Sequence, residues 1–395
     1  MQKKFLFRAV KLNLPNHAGG SLMNVNSHKK LLAAMIGAAL AGGTLAAQAI
    51  EVKPKFGAHI DYYRGDAGTL NSDASTTNDI AEQEFIIRRA RLYFDAKVND
   101  LVSGSIGLQG DDSSTGVRTS TLKDAYIDLK YHPLAMVRAG MYKYEFDLEG
   151  RESSFVRPFM NRSIVTNAVA GNMGLAGTDF RDKGVSLIGA AEAFGYGVGL
   201  WQGVGADTRD NNDKFGYTAN VWGKLVGVKV NLGYMNSDNT PAGNPLPGAG
   251  TSRTDEYTAA VIGVAYEVGP FLLRTEFYDA ERDRISDTGA TSTQDLSGYY
   301  VMGVFTVVPD VDVMARFQQF EDDAFGTSNN EVTATDLGVK YYFERKGRGG
   351  TNVSLNYMLR DADTGVTQRI FDERGANVTG DNVDDVIMAR LQIQY

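Results

Sequence analysis

Ile387-Met388-Ala389-Arg390-Leu391-Gln392-Ile393-Gln394-Tyr395 closes the sequence. Apolar side chains fall at Ile387, Ala389, Leu391, Ile393 and Tyr395, and Met388, Arg390, Gln392 and Gln394 fall between them. A period of two belongs to an extended strand with one greasy face and one wet face. Taken alone, the stretch fits an edge strand of a soluble sheet as well as the wall of a membrane barrel. The segments upstream separate the two.

No window after Ala49 keeps a helical period; alternating segments recur instead. They are expected at 54–65, 83–98, 101–111, 121–131, 135–146, 180–190, 194–203, 214–225, 228–237, 255–267, 271–280, 296–308, 311–322, 333–343, 351–360 and 385–395. Short connections carry turn residues: Asn99-Asp100, His132-Pro133, Ala191–Ala193, Val226-Gly227, Gly269-Pro270, Pro309-Asp310 and Glu344–Gly349. Longer polar ones, at about 66–82, 112–120, 147–179, 204–213, 238–254, 281–295, 323–332 and 361–384, alternate with them. Sixteen strands with short turns on one rim and long loops on the other form the pattern of an outer-membrane β-barrel. A soluble sandwich also alternates, but gives no reason for a long loop at every second connection. The expected fold is all-β: a 16-stranded transmembrane antiparallel barrel with an inward-folded third loop. Ser237 and Thr364 then lie outside the cell and Asp310 at a periplasmic turn.

The composition agrees. The 395 residues include 44 Gly, 19 Tyr, 19 Phe and no Cys, so disulfides and thiolate metal sites are excluded. Mean hydropathy is slightly negative, at -0.25, which excludes a helical membrane protein but not a barrel with a polar lumen. The one long apolar run, Leu31–Ala49, follows His28, Lys29 and Lys30 and ends on Ala47-Gln48-Ala49. It reads as a secretory signal peptide cleaved after Ala49, with Met23 as an alternative start. Residues 1–49 are therefore an N-terminal extension plus signal peptide, and 50–395 the barrel. Losing 1–49 leaves 34 basic and 48 acidic residues, a net charge of −14, and nucleic acid is not an expected partner.

A lumen charge is wet, whereas a lipid-facing charge at mid-bilayer costs about 2–4 kcal/mol. Alternation then turns thirteen basic residues inward: Lys55, Arg89, Arg91, Lys97, Lys130, Arg138, Lys224, Lys229, Arg274, Arg316, Lys340, Arg360 and Arg390. It turns only eight acids inward: Asp61, Asp95, Asp111, Asp124, Asp128, Glu276, Asp312 and Asp336. Such a lumen favours anions, although mixed pairs that brace the wall account for any single member equally well. Arg88 falls on the lipid parity, near the rim, where its stem can snorkel.

Phe85–Lys97 (FIIRRARLYFDAK), Leu122–Leu129 (LKDAYIDL) and Val137–Phe146 (VRAGMYKYEF) together resemble the phosphate-selective porin O/P family of Gram-negative outer membranes. Glu149–Arg162 (EGRESSFVRPFMNR) is similar to that family's third loop, and the aromatic ending to the C-terminal assembly signal of outer-membrane barrels. The resemblance implies a homotrimer of 16-stranded barrels, each narrowed by its third loop. It also implies an arginine ladder along the pore wall and a lysine cluster at the constriction. Here no Lys stands between Lys143 and Lys183, and the loop offers Arg151, Arg157 and Arg162 beside Asp147, Glu149, Glu152 and Asp179. The constriction is thus expected at Arg151, Arg157 and Arg162, and the pore lining at Arg89, Arg91, Arg138, Arg316, Arg360 and Arg390. Tyr395 is the assembly signal.

Catalytic chemistry is not visible. Only His59 and His132 follow the leader, and neither G-x-S-x-G, H-E-x-x-H nor a Walker A motif occurs. Asp361-Ala362-Asp363 and Asp207–Asp213 could gather Ca²⁺ but read as solvated loop tips. No metal or cofactor is expected. The sequence therefore reads as a passive outer-membrane porin for small anions, phosphate or polyphosphate among them. The expected partners are the permeating anions, outer-membrane lipid and the barrel-assembly machinery. A general or cation-favouring porin is the alternative, with a barrel adhesin or enzyme behind it.

Overall fold

A computed structural model describes residues 50–64, 83–112, 118–172, 180–203, 213–238, 246–248, 252–323, 330–362 and 385–395. The signal-peptide reading of 1–49 and most of the two acidic clusters fall outside these residues, as does Thr364. Sixteen strands follow in order. The first eight are β1 (Glu51–Arg64), β2 (Gln83–Lys97), β3 (Val102–Asp112), β4 (Arg118–His132), β5 (Ala135–Lys143), β6 (Arg181–Ala190), β7 (Phe194–Trp201) and β8 (Gly216–Leu225). The rest are β9 (Val228–Asp238), β10 (Ser252–Val268), β11 (Phe271–Ser286), β12 (Thr291–Val308), β13 (Val311–Asp323), β14 (Asn330–Lys346), β15 (Gly349–Ala362) and β16 (Val386–Gln394). Each strand pairs antiparallel with its neighbours in sequence, and β1 pairs with β16 to close the barrel.

Closure is what lipid demands, because an open edge would leave backbone N–H and C=O groups without partners. The seam runs from Gly57 opposite Gln394 to Arg64 opposite Ile387. Phe56 and Tyr395 extend it by exchanging backbone hydrogen bonds of 3.1 and 2.9 Å.

The burial pattern is inverted relative to a soluble sheet. In β13, Val313, Ala315 and Phe317 are exposed, while Asp312, Met314, Arg316 and Gln318 are buried. In β16, Ile387, Leu391 and Ile393 are exposed, while Met388, Arg390 and Gln392 are buried. Exposed apolar positions backed by buried polar ones describe a lipid-facing wall around a polar interior.

Three local expectations change. The connection expected at 281–295 is mostly strand, since β11 and β12 stay paired out to Ile285 and Thr291. Apart from Ile285 its strand residues are polar on both faces, so no apolar alternation marked it, yet the backbone ladder continues. Ser237, expected outside, stands at the loop-side end of β9 with its side chain fully buried, so it does not serve as a labelling site. Arg88 does not face lipid. The β1–β2 register slips between His59, opposite Arg89, and Ile60, opposite Ile87. This β-bulge leaves Arg88 as the extra residue, and both Arg88 and Arg89 are buried, at 6% and 4% exposure. The bulge shifts the alternation by one residue, so that Ile86 is buried between exposed Phe85 and Ile87 before it, and Arg89 and Arg91 are buried after it.

Orientation can be tested by labelling intact cells with a membrane-impermeant maleimide. Thr288→Cys, in the exposed turn between β11 and β12, should label, and Asp310→Cys should not. The reverse pattern would invert the barrel.

Candidate functional site: the lumen and its third loop

Residues 144–172 leave β5 and lie against the buried side chains of the wall. They end in a short π-type helix at Thr166–Asn172. A buried loop must satisfy its own backbone, and here wall side chains do so. Asn220 and Asn231 donate to the Phe146 carbonyl at 2.9 and 3.2 Å. Glu276 accepts from the backbone N–H of Leu148 and Glu149 at 2.7 and 2.9 Å. Lys340 donates to the Arg157 carbonyl at 2.7 Å and Gln392 to the Phe155 carbonyl at 2.9 Å. Asn356 and Gln318 accept from Met160 and Ile164 at 2.9 and 2.7 Å. On the far side Tyr257 donates to the Val169 carbonyl at 2.7 Å. The loop is therefore anchored along β8–β11 and β13–β16.

Two arginines join this anchorage through ion pairs. Arg316 donates to Asp336 at 2.8 Å, to Glu149 at 3.2 Å, and to the carbonyls of Asn161 and Arg162 at 3.2 and 3.4 Å. Arg390 grips Asp61 with two bonds of 2.7 and 2.6 Å and also reaches the Met160 carbonyl at 3.1 Å. Guanidinium suits this task because it stays charged and carries five donors.

The loop acids face this anchorage too. Burial alone would raise the Glu149 carboxyl, but the charges of Arg316 and Arg274 outweigh it and hold the group below the usual carboxylate range. Asp147 goes the other way: burial pushes it up, against the Tyr278 hydrogen bond and Arg162 that pull it down. Glu152 pairs with Arg274 and Arg348, each at 3.0 Å. None of these three acids borders the open part of the lumen.

That open part lies between the loop and β1–β6. A cavity of about 490 Å³ is bordered there by Lys55, Arg91, Arg138, Lys143, Arg151 and Arg181, against Asp95, Asp124 and Glu145. Arg138 holds Asp128 in two bonds of 2.7 and 2.9 Å. Arg181 holds Asp124 at 3.1 and 2.9 Å, Arg151 reaches Glu145 at 2.8 Å, and Lys55 reaches Asp95 at 2.5 Å. Lys143 donates to the carbonyls of Gly150 and Glu152 at 2.8 and 2.7 Å. Phe155 marks the loop side of the cavity. Its ring occupies the space a side chain at Gly57 would need, 2.4 Å from an ideal Cβ there, so glycine permits the close approach of loop and wall.

Of the nine arginines singled out in the sequence, Arg91, Arg138 and Arg151 border this cavity. Arg157 and Arg162 are buried at 1% and 3% exposure and do not border it; Arg162 lies over the Phe180 ring at 4.2 Å. Arg316 and Arg390 lie between loop and wall. Arg89 is buried on β2 beside the bulge, and Arg360 is half-buried near the far end of β15. Lys143 and Arg181 were not among the nine. Arg181 defeats a parity argument because Phe180, in the left-handed region with φ of 62°, redirects the chain just before it.

Comparison with known proteins agrees with this architecture. The chain matches the family described as phosphate-selective porin O and P over residues 56–395. No curated protein sequence matches it. Among solved structures it is similar to OmpT in trimer form, an outer membrane protein of Vibrio cholerae. That match has 15% identity and a TM-score of 0.60, over 88% of this chain and 100% of the other. It is similar to an anion-selective porin from Comamonas acidovorans, with 13% identity and a TM-score of 0.61, over 88% and 100% of the chains. The outer membrane channel DcaP of Acinetobacter baumannii shares 12% identity at a TM-score of 0.56, over 89% and 99%. At such identities the structures speak for the fold alone.

The anchorage generates two expectations. Arg316→Met leaves Glu149 and Asp336 buried without their cation. It should cost about 3–5 kcal/mol, read as an earlier loss of the heat-modifiable band in detergent. Glu149 has a lowered carboxyl, so its contribution holds above the ordinary carboxylate range and is lost only as pH falls through the lower folded value. Asp147 has the opposite sign, its ionisation working against the fold as pH rises. Asp147→Asn should therefore raise heat resistance at pH 8 and lose that advantage in acid, and a variant weaker than wild type at pH 8 would contradict this.

With the closed 16-strand barrel, the polar lumen and the family match taken together, the chain belongs to the phosphate-selective porin O and P family of the Gram-negative outer membrane.

Proposed function

We propose that the chain is a passive, anion-preferring diffusion channel whose narrowest path runs between the third loop and β1–β6. One observation carries the reading. Six basic and three acidic side chains border that path, and of the loop acids only Glu145 is among them, while Asp147, Glu149 and Glu152 point into the anchorage. The family supports it, and so does the anion-selective porin of Comamonas acidovorans at the level of fold. Channel work requires no bond to be made or broken, and we assign the chain no enzymatic step.

Within this reading Arg91, Arg138 and Arg151 act on the permeating ion, with Lys55, Lys143 and Arg181 beside them. Arg157, Arg162, Arg316 and Arg390 set the position of the loop. A passing ion must also leave, so several moderate contacts serve conduction better than one deep site. Phosphate is one candidate solute by family. A homotrimer is the proposed assembly, consistent with the trimer form of OmpT. Tyr395, paired with Phe56 at the seam, is the proposed signal to the barrel-assembly machinery, and the exposed apolar wall is covered by outer-membrane lipid.

Reversal potential in asymmetric KCl tests the proposal. Wild type should favour Cl⁻, and Arg138→Glu with Arg151→Glu should move selectivity toward K⁺. Arg157→Glu with Arg162→Glu should mainly lower the yield of folded barrel. A wild-type preference for K⁺ would instead support a general porin.

A further inference from the structure

We infer that the cavity between the loop and β1–β6 selects organic anions with a planar apolar body over bare oxyanions of the same headgroup. This rests on the anion reading above and specifies the solute class of the same site.

Size comes first. A volume of about 490 Å³ is room for roughly sixteen waters at ~30 Å³ each, and falls within the ~300–1,000 Å³ typical of pockets for organic ligands.

Aromatic rings stand among the charges of the wall. Tyr93 and Tyr126 are half-buried and border the cavity from β2 and β4, and Phe155 borders it from the loop. Tyr93 crosses Gly107 of the neighbouring strand, its ring filling the space a side chain there would need, and its hydroxyl donates to Asp124 at 3.0 Å. The Arg138 guanidinium lies 4.0 Å from the centre of the Tyr126 ring, and that of Arg91 lies 5.9 Å from the centre of Phe155. Cation and ring thus stand side by side along the cavity wall. Asp128 takes Nε and Nη2 of Arg138, which leaves Nη1 outside that ion pair. Charged headgroup on guanidinium and planar body on tyrosine is the arrangement this geometry accepts. A site for a bare oxyanion would gain from donors converging on one point and nothing from intervening rings.

Matched pairs test it. Chloride current through wild-type channels in planar bilayers is recorded while benzoate or acetate, and phenyl phosphate or inorganic phosphate, is titrated. In each pair the ring-bearing member should half-block at a roughly three- to tenfold lower concentration, the size of one aromatic contact. Tyr126→Ala should bring the ratio toward one, and Tyr126→Phe should keep it. Equal half-block within both pairs, in a channel that still prefers Cl⁻, would overturn this inference and leave the anion channel standing. An unchanged ratio in Tyr126→Ala, with Tyr93→Ala also unchanged, would overturn the assignment to this wall. A wild-type preference for K⁺ would overturn the anion reading and this inference with it.

Discussion

A loop threaded through a barrel has no ladder of its own, and that lack organises the lumen. Every buried N–H and C=O along 144–172 has to be answered by something, and the wall answers with asparagine, glutamine, lysine, arginine and carboxylate side chains. Those residues are then fixed by structural duty. The lumen divides into a face that holds most of the loop, along β8–β11 and β13–β16, and a face along β1–β6 that touches the loop at fewer points, Lys143 among them, and leaves room for solute. Charge selectivity follows from this division more than from the total count of arginines.

The division also explains how buried ions are tolerated. Moving a charge out of water costs several kcal/mol unless its hydrogen bonds are replaced. Arg316 spreads its donors over two carboxylates and two carbonyls, and Arg390 over one carboxylate and one carbonyl. Each guanidinium thus compensates loop carbonyls while it neutralises a wall acid. A lysine could not do both from one rigid fork.

Much of the barrel was legible in the sequence because lipid imposes a strict period. Sixteen strands follow from alternation, as in Val313, Ala315 and Phe317 against Asp312, Arg316 and Gln318, and turn residues mark the connections between them. The reading lost its grip where the period carries no apolar signal. Polar hairpin ends such as Arg282 and Gln294 look like loop, and the bulge at Arg88 changes parity by one residue without any mark in composition. The loop was harder still. Arg151 and Arg157 are six residues apart in one irregular segment, yet one borders the cavity and the other is buried at 1% exposure. No repeat distance decides between them. Only contacts with strands far along the chain do, and these are invisible until the barrel is closed.

Those distant contacts set an order in time. The third loop is made early, but its partners come late: Met160 is held by Arg390, 230 residues further on, and Arg390 is itself held by Asp61 across a span of 329 residues. Phe155 rests on Gly57 and is tied to Gln392, one residue on each side of the seam. The narrow passage therefore cannot exist in a nascent barrel that still lacks its last strand. Until the first and last strands meet, the chain encloses a wide and unfinished opening, so zipping the seam and calibrating the aperture are one event.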